Sequence, residues 1–296
     1  MIDRALERYL DGQQGQSHAI WKAMRYGLFP GGKRVRPILT LAAGEVFGGK
    51  PKDLLPFACA VEMIHAYSLI HDDLPAMDDD DWRRGQPTVH KLFGEGMALL
   101  AGDGLLTEAF HLLSGAQVMR SVSADLSLQL IHELAHAAGV AGLVGGQAFD
   151  LQAESREVDL ATVEYIHIRK TGALILASVR VGARIAAAKP VDLRRISRYG
   201  EFFGLAFQIA DDILDAQGHT GEGERTESAR KERKKATYPS VVGLVQARER
   251  LGELCQQCLK ELSSFGSAAE PLRAIVRSSI ARAMHVPNSI TQEMNF

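Results

Sequence analysis

The amino-acid sequence predicts an all-α fold. Apolar residues recur at helical spacing in five long segments, residues 55–71, 97–113, 126–144, 160–187 and 192–216. Alternating runs of Val, Ile and Thr, which are typical of strands, are scarce, and prolines fall mostly at breaks. Because no linker and no low-complexity segment interrupts the chain, residues 1–296 are expected to form a single-domain, multi-helix bundle.

The first of these segments, LPFACAVEMIHAYSLIH, is apolar on nearly all sides. A surface helix has one apolar stripe, whereas a helix that is apolar all round lies in a core. We therefore expect residues 55–71 to form the central, buried helix of the bundle. The four later segments carry the helical period, and Pro190 falls in the break before the last of them.

A polar stretch without helical periodicity, GHTGEGERTESARKERKK, spans residues 218–235 between two helical regions. Long polar connections of this kind often close over a binding site. The sequence therefore predicts a loop here that serves as a lid.

Composition excludes several classes of protein. The 296 residues carry a net charge of only −2, which argues against a general nucleic-acid binder. An odd, sparse set of three cysteines does not make a disulfide framework and favours a reducing compartment. The start MIDRALERYL indicates an amphipathic helix, and no run of about 18 uncharged apolar residues occurs. A cytoplasmic protein without a transmembrane segment is expected.

Six aspartates crowd into the segment HDDLPAMDDDDWRRG, residues 71–85. Like charges this close repel, so a folded chain keeps them only where a cation offsets them. Asp72 and Asp78 would lie on different faces of a continuous helix. Pro75 breaks the helical hydrogen bonds, so a short bulge can bring Asp78 back toward Asp72.

A second acidic motif, FQIADDILD, occupies residues 207–215. Asp211 and Asp215 are four residues apart, so a helix presents both on one face, with Asp212 alongside. Carboxylates on an otherwise apolar helix suit a hard cation such as Mg²⁺. Either motif alone is more often a solvated helix end, but two of them favour a metal site.

Basic residues accompany both acidic motifs. Arginine and lysine side chains are how proteins hold phosphate oxygens, and arginine suits a forked geometry. Each site alone is more often a surface charge, yet together they indicate a substrate that carries phosphates. The residues are Lys33, Arg34 and Arg36 in GGKRVRP, Arg83 and Arg84 after the first acidic motif, Lys170 before Thr171 in HIRKTGAL, and Lys235 in KATYPS.

Two further motifs allow other interpretations. HELAH, residues 132–136, matches the zinc-protease pattern with His132 and His136 as ligands and Glu133 as base, but it leaves both aspartate motifs unexplained. CQQC, residues 255–258, is a weak redox or metal pattern without a second pair. Two thiols on one helix explain it more simply.

Several motifs occur in the order found in one enzyme family: GGKRVRP, HDDLPAMDDDDWRRGQPTVH, LAGDGLL, GLVGGQAFDL, RKTGAL, GLAFQIADDILD and KATYPS. Over roughly residues 20–250 the chain resembles the trans-isoprenyl diphosphate synthases, above all the bacterial farnesyl type. The resemblance implies an isoprenoid-synthase bundle with a central substrate cavity. It also implies a homodimer and a cluster of three Mg²⁺ ions.

The reaction implied by this resemblance is a head-to-tail prenyl transfer. Dimethylallyl or geranyl diphosphate would ionise, isopentenyl diphosphate would attack the cation, and proton loss would give farnesyl diphosphate. By resemblance, the residues that match the family pattern are Asp72, Asp78, Asp211 and Asp215 for metal; Arg83, Lys170 and Lys235 for the allylic diphosphate; Lys33, Arg36, His65 and Arg84 for isopentenyl diphosphate; and Thr171 and Gln208 for the cation.

Chain length is expected to depend on the helix before the first acidic motif. Tyr67 lies five residues before Asp72, about 7.5 Å along a helix, where its ring would close the pocket below the product. The small Ser68 would leave room for a geranyl group. Alternatively, Tyr67 is a core aromatic without this role. The alternative product is geranylgeranyl or geranyl diphosphate.

The sequence departs from the family pattern in two places. Arg225 stands where the family usually has Lys, and Arg230 stands where it usually has Asp. The last residues, HVPNSITQEMNF, lack the usual basic tail. Two other interpretations stay open: a terpene cyclase, and a non-catalytic regulatory subunit of another prenyl synthase.

Overall fold

The computed structural model describes residues 1–11, 18–29, 31–154, 156–217 and 236–284. Helices account for 81% of these residues, and the strands span only four, which confirms the all-α prediction. The chain forms two compact units that alternate along the sequence. The described residues up to Ile38 and those in Pro51–Ile131 make the first unit, and Leu39–Lys50 with the described residues from His132 onward make the second.

In the first unit, α1 (Ile2–Asp11), α2 (His18–Leu28) and α6 (Glu95–Ser114) pack with the long central helix α4 (Pro51–Asp72). Two helices, α3 (Val35–Val46) and α8 (Ala124–Ala138), each begin in the first unit and end in the second along the chain. The helices up to residue 138 are α1 (Ile2–Asp11), α2 (His18–Leu28), α3 (Val35–Val46), α4 (Pro51–Asp72), α5 (Val89–Phe93), α6 (Glu95–Ser114), α7 (Ala116–Met119) and α8 (Ala124–Ala138).

Helix α4 is buried on all sides, as its sequence predicts. Residues from Leu54 to Ile70 supply fourteen buried positions, and Phe57 and Met63 are among the largest fully buried side chains. In length and composition α4 could also cross a membrane, but 78% of its most apolar window is buried inside the protein. Burial of this kind is typical of a core helix.

A β-hairpin follows the first acidic motif and was not predicted from the sequence. Strand β1 (Trp82–Arg83) pairs antiparallel with β2 (Gln86–Pro87). The two turn residues, Arg84 and Gly85, both have positive φ, at 55° and 74°. A two-residue turn with this geometry matches the twist of paired strands, and glycine adopts it without strain.

The second unit is built around α12 (Pro190–Ala216), the longest helix among the described residues, which packs on α11 (Ala173–Ile185) and α14 (Leu244–Leu262). A π-helix (His167–Gly172) lies between α10 and α11. The remaining elements are α9 (Leu143–Ala153), α10 (Leu160–Ile166), α11 (Ala173–Ile185), α12 (Pro190–Ala216), α13 (Tyr238–Val242), α14 (Leu244–Leu262), a 3₁₀ helix (Ser263–Ala269) and α15 (Glu270–Met284).

Two predicted helical segments are wrong in detail. The segment 126–144 breaks after Ala138, because the chain turns through Gly139–Gly142. Gly142 lies so close to the carbonyl of Ala137 that a Cβ there would come within 2.0 Å of that oxygen. The segment 160–187 divides into α10, the π-helix and α11, because apolar spacing does not distinguish a π-turn from an α-turn.

All three cysteines are buried free thiols. Cys255 and Cys258 lie on α14, and burial raises the pKa of Cys255 to about 12. A thiol with a raised pKa forms little thiolate and reacts poorly. The redox interpretation of CQQC is therefore wrong, and the two residues are part of the core.

Candidate active site

The first acidic motif folds into the bulge that Pro75 predicts. Helix α4 ends at Asp72, and the amide of Leu74 donates to the carbonyl of His71 at 3.1 Å. The amide of Asp78 then donates to the carbonyl of Asp72 at 2.7 Å. This bond brings the two residues together across a six-residue separation and confirms the predicted geometry of the backbone. Both side chains are half-buried at the end of α4.

Two neighbouring aspartates of this motif have a different role. Asp73 and Asp80 are buried, and both form ion pairs with Arg83, at 2.5 Å and 3.4 Å. Burial raises the pKa of Asp73 to about 6, although the guanidinium of Arg83 opposes the shift. Arg83, predicted to contact a diphosphate, is thus also the cation that holds the motif together.

The glycine turn of GGKRVRP is fixed by contacts within the first unit. The backbone has positive φ at Gly31, Gly32 and Arg34, at 71°, 139° and 48°. The guanidinium of Arg84 donates to the carbonyl of Gly31, and a Cβ on Gly32 would come within 2.5 Å of that guanidinium. Only glycine fits both the dihedral angle and the space here, so the hairpin arginine and this turn depend on each other.

Arg34 anchors the same turn and was predicted only as a member of the basic cluster. Its guanidinium donates to Glu62 at 2.7 Å and to the carbonyl of Leu28 at 2.8 Å, and it reaches Asp3 at 3.0 Å. Glu62 is only 2% exposed. A single acid in the apolar run of α4 was the sequence signal for this buried pair, since a buried charge requires a partner.

The residues predicted for isopentenyl diphosphate lie partly together. His65 is half-buried, and its pKa lies well below 6.5, first because of desolvation and then because of Arg36, Arg84, Arg83 and Arg34. Lys33 is exposed on the glycine turn of GGKRVRP. The structure therefore gathers a cluster of cations around a histidine that is neutral near pH 7.

Tyr67 and Ser68 lie on α4 one turn before the bulge. Tyr67 is 6% exposed, its ring meets the ring of His71 edge to face at 5.7 Å, and burial raises its pKa to about 12. The Ser68 hydroxyl donates to the carbonyl of His65 at 2.8 Å. These contacts hold the Tyr67 ring in place, as expected both for a wall of the product pocket and for an aromatic residue of the core.

In the second unit, Asp212 is the centre of a hydrogen-bond network. Its buried carboxylate accepts from His167 Nε2 at 2.9 Å, from Gln208 Nε2 at 3.0 Å and from the Tyr238 amide at 2.8 Å. With three donors, this carboxylate holds α12, the π-helix and the start of α13 together. Asp211, half-buried and 3.7 Å from Arg282, and the exposed Asp215 lie one turn apart on α12.

The π-helix places the other predicted residues of this unit. Lys170 Nζ pairs with Asp150 on α9 at 2.6 Å, and the Thr171 hydroxyl donates to Gln208 Oε1 at 2.8 Å. A Cβ on Gly204 would come within 2.7 Å of the Cα of Gly172, so α12 and the π-helix touch backbone to backbone. Thr171 and Gln208, both assigned to the cation by resemblance, are therefore in direct contact. A π-turn often occurs where a functional side chain must be re-aimed.

Several predicted residues lie outside the described part of the chain. These are Lys235, Arg225 and Arg230, the predicted lid at 218–235 and the tail at 285–296. The end of KATYPS is described: Thr237 and Ser240 form a reciprocal N-cap of α13, next to the Tyr238 amide on Asp212.

The zinc-protease interpretation of HELAH is wrong. Glu133 is bound by two arginines, Arg180 and Arg184, so it is not placed to act as a base. His132 and His136 are both exposed. Among the described residues, the cluster with metal-like spacing is instead Asp79, Asp81 and His90 beside the first acidic motif.

Comparisons with known proteins agree with these motifs. The polyprenyl synthetase family profile matches residues 17–272. The farnesyl diphosphate synthase of Escherichia coli is 46% identical over 95% of each chain. The geranylgeranyl diphosphate synthase of Cyanophora paradoxa is 45% identical over 88% of this chain and 87% of that one. A crystal structure of an FPP/GFPP synthase from Zymomonas mobilis has 39% identity and a TM-score of 0.83, covering 94% of this chain and 96% of that one.

Proposed function

The chain belongs to the polyprenyl synthetase family, and from this premise we propose that it synthesises farnesyl diphosphate. It would join isopentenyl diphosphate to dimethylallyl diphosphate and then to geranyl diphosphate. The observation that carries the proposal is the pair of intact aspartate motifs with their basic partners. Relatives of similar identity include both farnesyl and geranylgeranyl diphosphate synthases, so the C15 product is supported chiefly by Tyr67.

The carboxylates suit a divalent metal. A backbone hydrogen bond joins Asp72 and Asp78 at the bulge, and Asp211 and Asp215 share a face of α12. All four offer oxygen ligands, and none is fully buried, so each can reach a hard cation at a surface open to substrate. When bound, Mg²⁺, with three ions expected, would neutralise the charge on the leaving diphosphate.

The π-helix residues would stabilise the allylic cation. The hydroxyl proton of Thr171 is donated to Gln208, and the Gln208 amide is fixed by its bond to Asp212. Thr171 Oγ1 therefore presents only lone pairs to a substrate, which is the negative end of a dipole. Preorganised dipoles aimed at developing charge are among the largest contributions to catalysis.

Positive charge would hold the diphosphates while the carbon skeleton reacts. Lys170 and, by resemblance, Arg83 and Lys235 would bind the allylic diphosphate, and Lys33, Arg36 and Arg84 would bind isopentenyl diphosphate. His65 would contribute as a neutral hydrogen-bonding group. The allylic carbon–oxygen bond breaks, the double bond of isopentenyl diphosphate attacks, and the released diphosphate takes the proton.

A product-length assay tests this proposal. Purified protein is incubated with isopentenyl diphosphate and, separately, dimethylallyl, geranyl or farnesyl diphosphate, with and without Mg²⁺, and the dephosphorylated alcohols are identified. We expect farnesol from the first two primers and little product from the third. Geranylgeraniol would overturn the C15 product, and absence of elongation would favour the regulatory-subunit interpretation.

We further propose a cytoplasmic homodimer in which residues 1–296 act as one domain. Three buried free thiols suit a reducing compartment. Three leucines of the first unit, Leu92, Leu99 and Leu100, are about half exposed, at 55%, 48% and 54%. Apolar side chains grouped on consecutive helices support an interface between copies of the chain.

A further inference from the structure

Helix α9 buries one side, and a polar side chain lies in the middle of that side. The buried residues of α9 are Leu143, Gly146, Gln147 and Ala153, a spacing that follows one helical stripe. Gln147 is only 7% exposed. A position in such a stripe is usually filled by an apolar residue, so a glutamine there requires an explanation.

Both polar ends of Gln147 are buried without a hydrogen-bond partner among the described residues. Buried side-chain amides in folded proteins nearly always have partners, because desolvation without compensation is unfavourable. An amide with an unsatisfied donor and an unsatisfied acceptor is therefore poised for a molecule that binds later.

The surroundings of Gln147 indicate which molecule that is. A Cβ on the preceding residue, Gly146, would come within 2.2 Å of the Lys170 backbone nitrogen, so α9 lies directly against the π-helix. Asp150, one turn after Gln147, pairs with Lys170 at 2.6 Å. Gln147 thus lies between two residues of α9, Gly146 and Asp150, that both contact Lys170 on the π-helix.

We propose that Gln147 contacts the allylic substrate and that its carbonyl dipole stabilises the cation together with Thr171. This inference rests on the proposed function. The buried amide remains unsatisfied in the free protein and gains its partner when substrate binds. The unsatisfied amide lowers the stability of the free protein and stabilises the charged intermediate once substrate is bound, a combination that is common in active sites.

Gln147→Met tests the inference, because methionine has a similar shape but no amide. Removing an unsatisfied buried amide should leave the melting temperature unchanged or raise it. It should lower kcat by about tenfold or more, since a dipole at the cation acts mainly in the transition state. The KM for isopentenyl diphosphate should change little. Gln152→Met, at an exposed position of the same helix, is the control and should change neither property.

A second measurement separates binding from turnover. A thio analogue of geranyl diphosphate, with sulfur as the bridging atom, ionises slowly and should raise the melting temperature of both wild type and Gln147→Met. A lower melting temperature of free Gln147→Met would show a structural bond and overturn the proposal. Unchanged kcat would overturn it as well. Wild type that binds the analogue without elongating any primer would instead contradict the proposed function.

Discussion

Tyr67 is the residue on which the length of the product depends in the proposed function. It is buried on α4, one turn and a half before Asp72. We expect Tyr67→Ala to open space below the growing chain and to shift product from C15 toward C20. Tyr67→Phe keeps the ring and should keep the C15 product. Chromatography of the dephosphorylated alcohols measures both, and a C15 product from Tyr67→Ala would show that the ring is only a core aromatic.

His65 provides a prediction about pH. Desolvation and the arginines Arg36, Arg84, Arg83 and Arg34 lower its pKa well below 6.5 in the folded protein. The unfolded chain therefore binds more protons near pH 6, and acidification below pH 6.5 lowers the free energy of unfolding through this group.

We expect His65→Gln to lose this part of the pH dependence, a difference of up to about 1 kcal/mol per pH unit. Denaturant titrations of both proteins between pH 7 and pH 5 measure the difference. If the free energies of unfolding of the two proteins changed equally with pH, the pKa of His65 would be the same in the folded and unfolded states, and the prediction would be wrong.

At the scale of elements, the contact between α12 and the π-helix depends on two glycines. A Cβ on Gly204 would lie 2.7 Å from the Cα of Gly172, where no flexible side chain can move aside. We expect Gly204→Ala to lower the free energy of unfolding by about 2 kcal/mol and to reduce turnover, because Thr171 and Gln208 would separate.

The matched control for this element is Gly252→Ala on α14. A Cβ there meets nothing within 4 Å. In a helix interior, alanine should then stabilise the protein by up to about 1 kcal/mol relative to glycine. Thermal and denaturant unfolding compare the two variants, and equal effects would show that the close approach of α12 and the π-helix can relax.

The sequence predicted the elements that follow from apolar periodicity and from helix-breaking proline. It did not predict the elements whose backbone geometry depends on residues that are close in space. Helix α4 and the bulge after Pro75 follow from local rules. The π-helix at His167–Gly172 and the hairpin turn at Arg84–Gly85 do not, because their neighbours in space decide them. Asp212 shows that the same holds within the candidate site. Its position in an aspartate motif suits a metal ligand, but its carboxylate accepts from donors up to 45 residues away in the sequence, which the sequence pattern does not reveal.

At the scale of the whole molecule, the proposed homodimer makes a prediction about assembly. Leu100 on α6 is 54% exposed, and Val245 on α14 is 69% exposed. We expect Leu100→Glu to weaken the dimer and raise the monomer fraction in light scattering as protein is diluted. Val245→Glu places the same charge at a more exposed apolar site outside the proposed interface. A mass that Leu100→Glu leaves unchanged would move the interface elsewhere.

The bond between Asp212 and the Tyr238 amide joins two points that are 26 residues apart in the chain. Helix α12 ends at Ala216, and α13 begins at Tyr238, so a carboxylate near the end of α12 holds the first residue of α13. The entropy of closing a loop changes only slowly with its length. We therefore expect the free energy of unfolding of the described helices to change only slightly when the stretch between Ala216 and Tyr238 is shortened or extended by a few residues.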